Sequence, residues 1–143
     1  MQKLKTTRFG EINIDETEAV HFQDGLLGFS GKKNFIILEH KPGSPFLWLQ
    51  SMDVPDLAFV MINPFMLDAD YLKNISKEEE SLLKNDDEGG ILVFTLVTIP
   101  KGRVEEATIN LMGPIIVGAK SRCAKQVILA NSGYSHRHPL TSK

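Results

Sequence analysis

Cys123 is the only cysteine of the chain, and it is the side chain best suited to nucleophilic chemistry. Its cationic neighbours Arg122 and Lys125 would favour the nucleophilic thiolate. A Cys–His–Asx arrangement would further need Asn131 and a histidine near the C-terminus to converge on the thiol, and nothing in their spacing indicates this. We therefore expect a small thiol near a loop, and a thiol enzyme remains only an alternative.

The other chemistry-bearing pair is His136 and His138. On an extended segment, the spacing His-x-His places both rings on one face, which is half of a metal site. No carboxylate is near in sequence to complete the site, because the chain has no Asp or Glu after Glu106. We expect solvent-facing or hydrogen-bonded histidines, and neither a metal ion nor a cofactor.

Carboxylate pairs and glycine-rich segments complete the search for catalytic motifs. Asp68 with Asp70 and Asp86 with Asp87 lie in polar, loop-like surroundings that do not favour acid–base catalysis. The sequence contains no G-x-S-x-G nucleophile elbow and no glycine-rich phosphate-binding loop. These observations predict a protein that is not an enzyme.

Charge is distributed unevenly along the chain, although the formal net charge is only -2. Eight acidic and three basic residues lie between Asp68 and Glu88, a formal -5. Five basic residues and no acidic residue lie between Ala107 and Lys143, a formal +5. Such asymmetry steers association with charged partners, although both regions could equally be ordinary soluble surface.

The elements that position these residues are short. With 143 residues, 42% of them hydrophobic, the chain fits one domain spanning residues 1–143. Apolar blocks between frequent turn signals predict a mainly β fold, a small closed or pseudo-barrel of short strands with one short helix near residues 76–85. The predicted strands are Lys3–Thr7, Gly10–Ile14, Asn34–Glu39, Leu47–Met52, Ala58–Ile62, Ile91–Ile99, Glu105–Leu111, Ile115–Val117 and Gln126–Ala130.

Two of these elements carry specific signals. Ile91–Ile99 is apolar on both faces, so we expect a central strand covered on both sides, and Pro100-Lys-Gly102 predicts a type I turn into Glu105–Leu111. For the helix, Ser76 can cap the first turn and Glu79 can complete a capping box. The segment Met1–Phe9 is basic but has no apolar stretch behind it, so we expect no signal peptide. The longest apolar run, Ile91–Ile99, is too short to span a bilayer, so we expect no membrane span.

Six blocks in order along nearly the whole chain resemble the FliW flagellar assembly factor family. Each block alone is weak, whereas the six together are specific. They are Thr7-Arg-Phe-Gly-Glu-Ile12, Asp24-Gly-Leu-Leu-Gly-Phe29, Ser44-Pro-Phe-Leu-Trp-Leu-Gln-Ser51, Asp56-Leu-Ala-Phe-Val60 with Asn63-Pro-Phe65, Ile109-Asn-Leu-Met-Gly-Pro-Ile-Ile-Val117, and Gln126-Val-Ile-Leu129 through Tyr134-Ser-His-Arg-His-Pro-Leu140.

The resemblance implies a β pseudo-barrel with a helix, in a bacterial cytoplasmic protein that binds flagellin and the translational repressor CsrA. Binding would antagonise CsrA allosterically and relieve repression of flagellin mRNA translation. We expect no direct nucleic-acid binding, no membrane association and a monomer when free. The chain departs from the family pattern at Leu27, where we associate a proline with the turn, and at Gly113 and Gly118, where we expect alanine and asparagine.

Two charged surfaces are candidates for these protein contacts. One is the basic carboxy-terminal third, with Lys120 and Arg122 and the tail residues Tyr134, His136, Arg137, His138 and Leu140. The other is the acidic stretch around Glu78, Glu79 and Glu80. Alternatively, Tyr134 and Leu140 simply close the barrel, or the basic third of a small β-barrel binds RNA directly.

Overall fold

The computed structural model describes residues 2–26, 31, 33–39, 41–84, 88–101 and 103–140. Several predicted features lie outside these residues, namely Leu27 and Gly28 of the first glycine turn, Gly102 of the type I turn, Asp86 and Asp87 of the acidic stretch, and Lys143.

The strands are short and follow one another along most of the chain. In order they are β1 Gln2–Thr6, β2 Gly10–Ile14, β3 Val20–Phe22, β4 Asn34–Glu39, β5 Phe46–Ser51, β6 Ala58–Ile62, β7 Ile91–Thr98, β8 Thr108–Ile109, β9 Ile115–Gly118, β10 Cys123–Gln126 and β11 His138–Pro139. One α-helix, α1, spans Lys77–Leu82, and 3-10 helices span Glu16–Glu18, Pro64–Met66 and Val104–Glu106.

Seven of the strands close into a barrel. The order β7-β6-β5-β4-β3-β10-β9 returns to β7, because the first half of β7 pairs with β9. All contacts are antiparallel except that of β3 with β10, where His21 lies opposite Cys123. β8 and then β11 extend the sheet beyond the second half of β7, and β1 and β2 form a separate hairpin. The predicted mainly β, closed barrel with one short helix is confirmed.

The barrel interior is filled by apolar side chains from every side. Phe22 and Phe35 are fully buried, with ring centroids 5.4 Å apart in an edge-on contact, and Leu49 and Met61 complete the same cluster from β5 and β6. Phe94 and Leu96 point inward from β7, whereas Val93 and Val97 pack outside. This alternation is what a strand with period two produces.

A second apolar layer covers part of the outside of the barrel. It is formed by residues 63–84 and 127–140, which we call the outer layer. Its clusters bring Tyr71, Leu83, Leu129 and Tyr134 against the outward face of the sheet. The β1–β2 hairpin covers another part, with Leu4 and Ile14 against the outward side of β4.

Two predicted strands differ from those observed. Where Glu105–Leu111 was predicted, the chain forms a 3-10 helix and only the two residues of β8, because the amides of Glu106 and Ala107 bond locally to Arg103 and Val104. The predicted hairpin is confirmed in part, since β7 and β8 pair at Val97 with Ile109. Gln126–Ala130 was also wrong: the strand is Cys123–Gln126, because these residues reach both β3 and β9.

The predicted central strand is covered on both sides only in part. From Phe94 to Val97, β7 is buried or half-buried, but Ile91 and Leu92 at its start are 41% and 39% exposed. The helix agrees more closely with its prediction, since Ser76 caps it and its hydroxyl accepts from the Glu79 amide at 3.1 Å. No helix in the described part of the chain is long and apolar enough to cross a membrane.

Candidate partner-binding surfaces

The carboxy-terminal tail forms the outer edge of the sheet. β11 pairs antiparallel with β8, with His138 opposite Ile109. Two further bonds continue this pairing, from the Leu111 amide to the Ser135 carbonyl at 3.0 Å and from the Leu140 amide to the Ala107 carbonyl at 2.9 Å. Backbone hydrogen bonds therefore hold the tail against the sheet from Ser135 to Leu140.

The five candidate side chains of the tail divide into two sets. Tyr134 and Leu140 are half-buried in the outer layer, so they pack outside the barrel rather than closing its interior. His136, Arg137 and His138 are exposed. The first set fixes the tail to the sheet, and the second set is accessible to a partner.

His136 and Arg137 line a groove of about 490 Å³. Thr98 of β7, Thr108 of β8 and Asn110, just after β8, also line it. A groove that combines small polar groups with a guanidinium can accept carboxylates of a protein ligand.

Tyr134 holds the two segments of the outer layer together. Its hydroxyl accepts a hydrogen bond from the Leu72 amide at 2.8 Å, and its ring lies 4.8 Å from that of Tyr71. Tyr71 in turn donates to the Leu111 carbonyl at 2.5 Å. Burial raises the pKa of the Tyr71 phenol, with a smaller contribution from Tyr134. These contacts join residues that are 40 and 62 positions apart in the sequence.

The acidic stretch lies against the basic third rather than apart from it. Glu78 and Glu80 are exposed on α1, but Glu79 is buried and its Oε2 accepts from the Asn131 amide at 3.0 Å. The carboxylate thus does not turn back to the Ser76 amide as a capping box would require. Only Glu78 and Glu80 of this predicted set are accessible, because Glu79 serves the outer layer.

Lys125 adds a second contact between the two regions. Its Nζ donates to the carbonyl oxygen of Lys84, two residues beyond α1, at 2.8 Å. A cation at this position also complements the negative end of the helix. Two of the charged groups predicted in these regions, Glu79 and Lys125, are therefore engaged in hydrogen bonds within the molecule.

Lys120 and Arg122 lie in the connection between β9 and β10 and have different surroundings. Lys120 is exposed, whereas Arg122 is half-buried and its Nη2 donates to the Glu18 carbonyl at 2.8 Å. The backbone of Arg122 has a φ of 63°, a left-handed conformation that is uncommon for this residue type. Arg122 thus fixes the loop before β3, and Lys120 is the more accessible cation.

Cys123 has a neighbour that sequence reasoning missed. It lines a cavity of about 680 Å³ with His21, whose Nδ1 lies 2.6 Å from Asn34 Oδ1. His136 instead lines the tail groove, and Asn131 bonds Glu79. The parallel pairing of β3 with β10 places His21 beside the thiol, and no sequence motif signals a pairing between strands a hundred residues apart. Among the described residues, no group of three or more His, Cys, Asp or Glu could hold a metal ion.

Comparison with known proteins places the chain in a family. The family model described as FliW protein matches residues 3–140. A flagellar assembly factor FliW of Magnetococcus marinus is 41% identical over 138 residues, which is 96% of this chain and 84% of that protein. A flagellar assembly factor FliW of Natranaerobius thermophilus is 38% identical, covering 96% and 91%. A crystal structure of the flagellar assembly factor FliW superposes with a TM-score of 0.83 at 32% identity, covering 99% and 98% of the two chains.

Proposed function

The chain belongs to the FliW family of flagellar assembly factors, and on that premise we propose that it binds two proteins in the cytoplasm, flagellin and the translational repressor CsrA. Binding to CsrA relieves its repression of flagellin mRNA translation by allosteric antagonism, without covering the RNA site. Export of flagellin frees the factor to capture CsrA. The observation that carries the proposal is the family match over residues 3–140.

The accessible side chains of the outer layer support a protein-binding role. His136, Arg137 and His138 are exposed on a tail that the sheet already orders, so a partner would bind them without ordering the backbone first. Lys120 is exposed in the β9–β10 connection. In the acidic stretch, Glu78 and Glu80 are exposed on α1, and their charge is complementary to that of a basic partner.

Direct RNA binding has less support. Sequence-tolerant RNA binding needs an aromatic ring free to stack on a base beside the cations. Tyr134 is the only aromatic residue after Phe94, and its ring and hydroxyl are engaged by Tyr71 and Leu72. Lys125, in the same basic third, donates to the Lys84 carbonyl. A filter-binding assay with flagellin leader RNA alone checks this, and we expect no retention.

Titration calorimetry with purified flagellin and purified CsrA tests the proposal, together with a competition in which flagellin is added to the CsrA complex. We expect both proteins to bind and flagellin to reduce CsrA binding. The charge-reversal variant Lys120→Glu with Arg137→Glu, or the variant Glu78→Lys with Glu80→Lys, should weaken at least one partner at low salt. Lys5→Glu on the β1–β2 hairpin is the matched control.

Arg122 and Glu79 are left unchanged in these variants because both make contacts within the molecule. Absence of binding by the unmodified protein to either partner would refute the proposed function. Equal binding by all the variants would refute the assignment of these charged surfaces but not the function.

A further inference from the structure

A cavity on the outer face of the barrel sheet is not used by the proposed function. It has a volume of about 680 Å³, and a row of residues on three adjacent strands lines it. Cys123 of β10 lies opposite His21 of β3, and His21 lies opposite Asn34 of β4. Phe22 and Ala124, the next residues along β3 and β10, are buried in the interior cluster. Because successive side chains of a strand point to opposite faces, the row faces outward. We call this space the β3–β10 cavity.

The charged side chains around the β3–β10 cavity are mainly cationic. Lys33 directly precedes β4, and Lys84 follows α1 by two residues. Lys125 is in β10, two positions from Cys123 and therefore on the same face of the strand. Among the described residues, Asp24 is the only acidic residue of the lining, so three lysines and one carboxylate give a formal +2. Segments distant in sequence thus bring like charges to one space, an arrangement that an anion would stabilise.

The lysines of the cavity are not neutralised within the described part of the chain. None of the three ion pairs found there includes Lys33, Lys84 or Lys125. The Lys125 Nζ donates to the Lys84 carbonyl oxygen at 2.8 Å, a neutral acceptor, and this bond brings the two residues together. Lys33 and Lys84 are exposed, and their ammonium groups make no hydrogen bond with a described residue. Their charge is therefore available to an anion that enters the cavity.

Asn34 adds a directed hydrogen-bond donor. Its Oδ1 accepts from His21 Nδ1 at 2.6 Å, which fixes the side-chain amide. Because the oxygen is engaged, the Nδ2 group, which bonds to no described residue, is left to donate to a ligand. A phosphate group accepts several hydrogen bonds at once, so an amide donor near ammonium groups suits its oxygens.

The other polar side chains of the cavity suit hydroxyl groups. Gln23 and Asp24 line it, and both lie in the turn that is closed by the bond from the Gly25 amide to the Phe22 carbonyl at 3.2 Å. A carboxylate accepts from hydroxyl groups, and a carboxamide both donates and accepts. Because pockets for small molecules have volumes of about 300–1,000 Å³, the cavity has room for an organic part besides a phosphate group.

We propose that the β3–β10 cavity binds a small phosphate monoester with a hydroxyl-bearing organic part, such as a sugar phosphate. The lysines and the Asn34 amide hold the phosphate, and Gln23 and Asp24 bond the hydroxyl groups. The formal +2 of the lining matches the charge of about -1.5 to -2 that a phosphate monoester carries at pH 7. RNA fits less well, because Phe22, the only aromatic residue of the described lining, is fully buried and offers no ring face to a base. The site goes beyond the proposed function and depends on neither flagellin nor CsrA.

Alkylation of Cys123 reports occupation of the cavity, because this exposed thiol is the only one in the chain. Iodoacetamide is uncharged, so the lysines do not attract it. The thiolate displaces iodide, and mass spectrometry follows the rate. Glucose 6-phosphate should slow alkylation about tenfold at a concentration about ten times its Kd, by mass action. Inorganic phosphate and glucose, which each make only part of the contacts, should need higher concentrations, and sodium chloride at the same ionic strength should have no effect.

Variants separate the phosphate contacts from the hydroxyl contacts. Lys33→Ala with Lys84→Ala should raise the Kd of glucose 6-phosphate about tenfold or more, because two unpaired cations are lost. Lys5→Ala with Lys101→Ala removes the same charge from exposed positions outside the cavity and is the matched control. Asp24→Ala should tighten inorganic phosphate, because a negative charge is removed, but should reduce the preference for glucose 6-phosphate over phosphate. The Tm of all these variants should stay close to that of the unmodified protein.

The outcomes decide the site independently of the two protein partners. Protection of Cys123 that is lost in the Lys33→Ala, Lys84→Ala variant and kept in the control supports it, whatever flagellin and CsrA do. The site is wrong if glucose 6-phosphate does not slow alkylation, if sodium chloride slows it equally, or if the lysine variant is protected as well as the control. Protection by a short single-stranded RNA at phosphate concentrations where glucose 6-phosphate gives none would assign the cavity to RNA instead.

Discussion

The interior of the barrel and the outer layer are both apolar, but different contacts hold them. In the interior, Phe22, Phe35, Leu49 and Met61 are fully buried in one cluster that includes side chains from other strands. In the outer layer, two segments far apart in the sequence are joined, besides their apolar contacts, by polar bonds made by Tyr134 and Glu79.

This difference distinguishes the region that stabilises the fold from the region whose side chains are available to partners. Strands paired on both edges and packed on a closed core open only with global unfolding, whereas a layer held by a few bonds can open locally. The side chains available to partners belong to the second kind of region or to its border, as with Arg137 on the tail and Met66 in the 3-10 helix. We therefore expect the barrel to carry the stability and the outer layer to carry the binding.

The largest effect should come from the interior. Phe35→Ala removes a ring that lies against Phe22 and Phe59 and leaves a cavity, so the free energy of unfolding should fall by about 3–5 kcal/mol. Urea denaturation measures it. Phe65→Ala, in the 3-10 helix Pro64–Met66, is the comparison and should cost less, because the ring is 38% exposed. Similar losses of unfolding free energy in the two variants would contradict the distinction between the interior and the outer layer.

The second prediction concerns alkaline pH and Tyr71. Because burial raises the pKa of this phenol, the folded protein keeps it neutral when the unfolded chain ionises near its ordinary value of 10.0. The contribution of the neutral Tyr71 phenol to the free energy of unfolding is complete below that pH. It is lost as the pH rises, by up to about 1.4 kcal/mol per pH unit. Unfolding free energies from pH 9 to about 12 should fall more steeply in the unmodified protein than in Tyr71→Phe. Parallel profiles of unfolding free energy against pH in the two proteins would contradict the burial of the Tyr71 hydroxyl.

The smallest effect should come from the cap of α1. Ser76→Ala removes the bond to the Glu79 amide and should lower the free energy of unfolding by about 1 kcal/mol. Ser81→Ala, also in α1 but exposed and away from the cap, should change it by less. Circular dichroism with urea measures both. A loss as large as that of Phe35→Ala would mean that the outer layer is as integral to the fold as the interior.

The sequence pattern predicts part of the fold well. β2 of the hairpin and β4 and β6 of the barrel have their predicted bounds, because short apolar blocks between turn signals are a local pattern. β3 and β11 were missed, since three and two residues are too few to show any period. The strand predicted at Glu105–Leu111 was wrong because local backbone bonds hold Val104–Glu106 in a 3-10 helix.

The surfaces were harder to predict because each depends on a contact distant in sequence. The capping-box spacing placed the start of α1, but the Glu79 carboxylate goes to Asn131, 52 residues away. Tyr134 was a candidate on composition alone, and only the fold shows that Leu72 and Tyr71 engage it.

Hydrogen exchange on the protein, free and with purified CsrA or flagellin, tests the account most directly. In the free protein, peptides from residues 63–84 and 127–140 should exchange faster than those from residues 46–62, because fewer bonds hold the outer layer. Addition of a partner should protect the outer layer and leave the barrel strands β4, β5 and β6 unchanged. Uniform exchange in the free protein, with partner protection confined to the β1–β2 hairpin or absent, would contradict it.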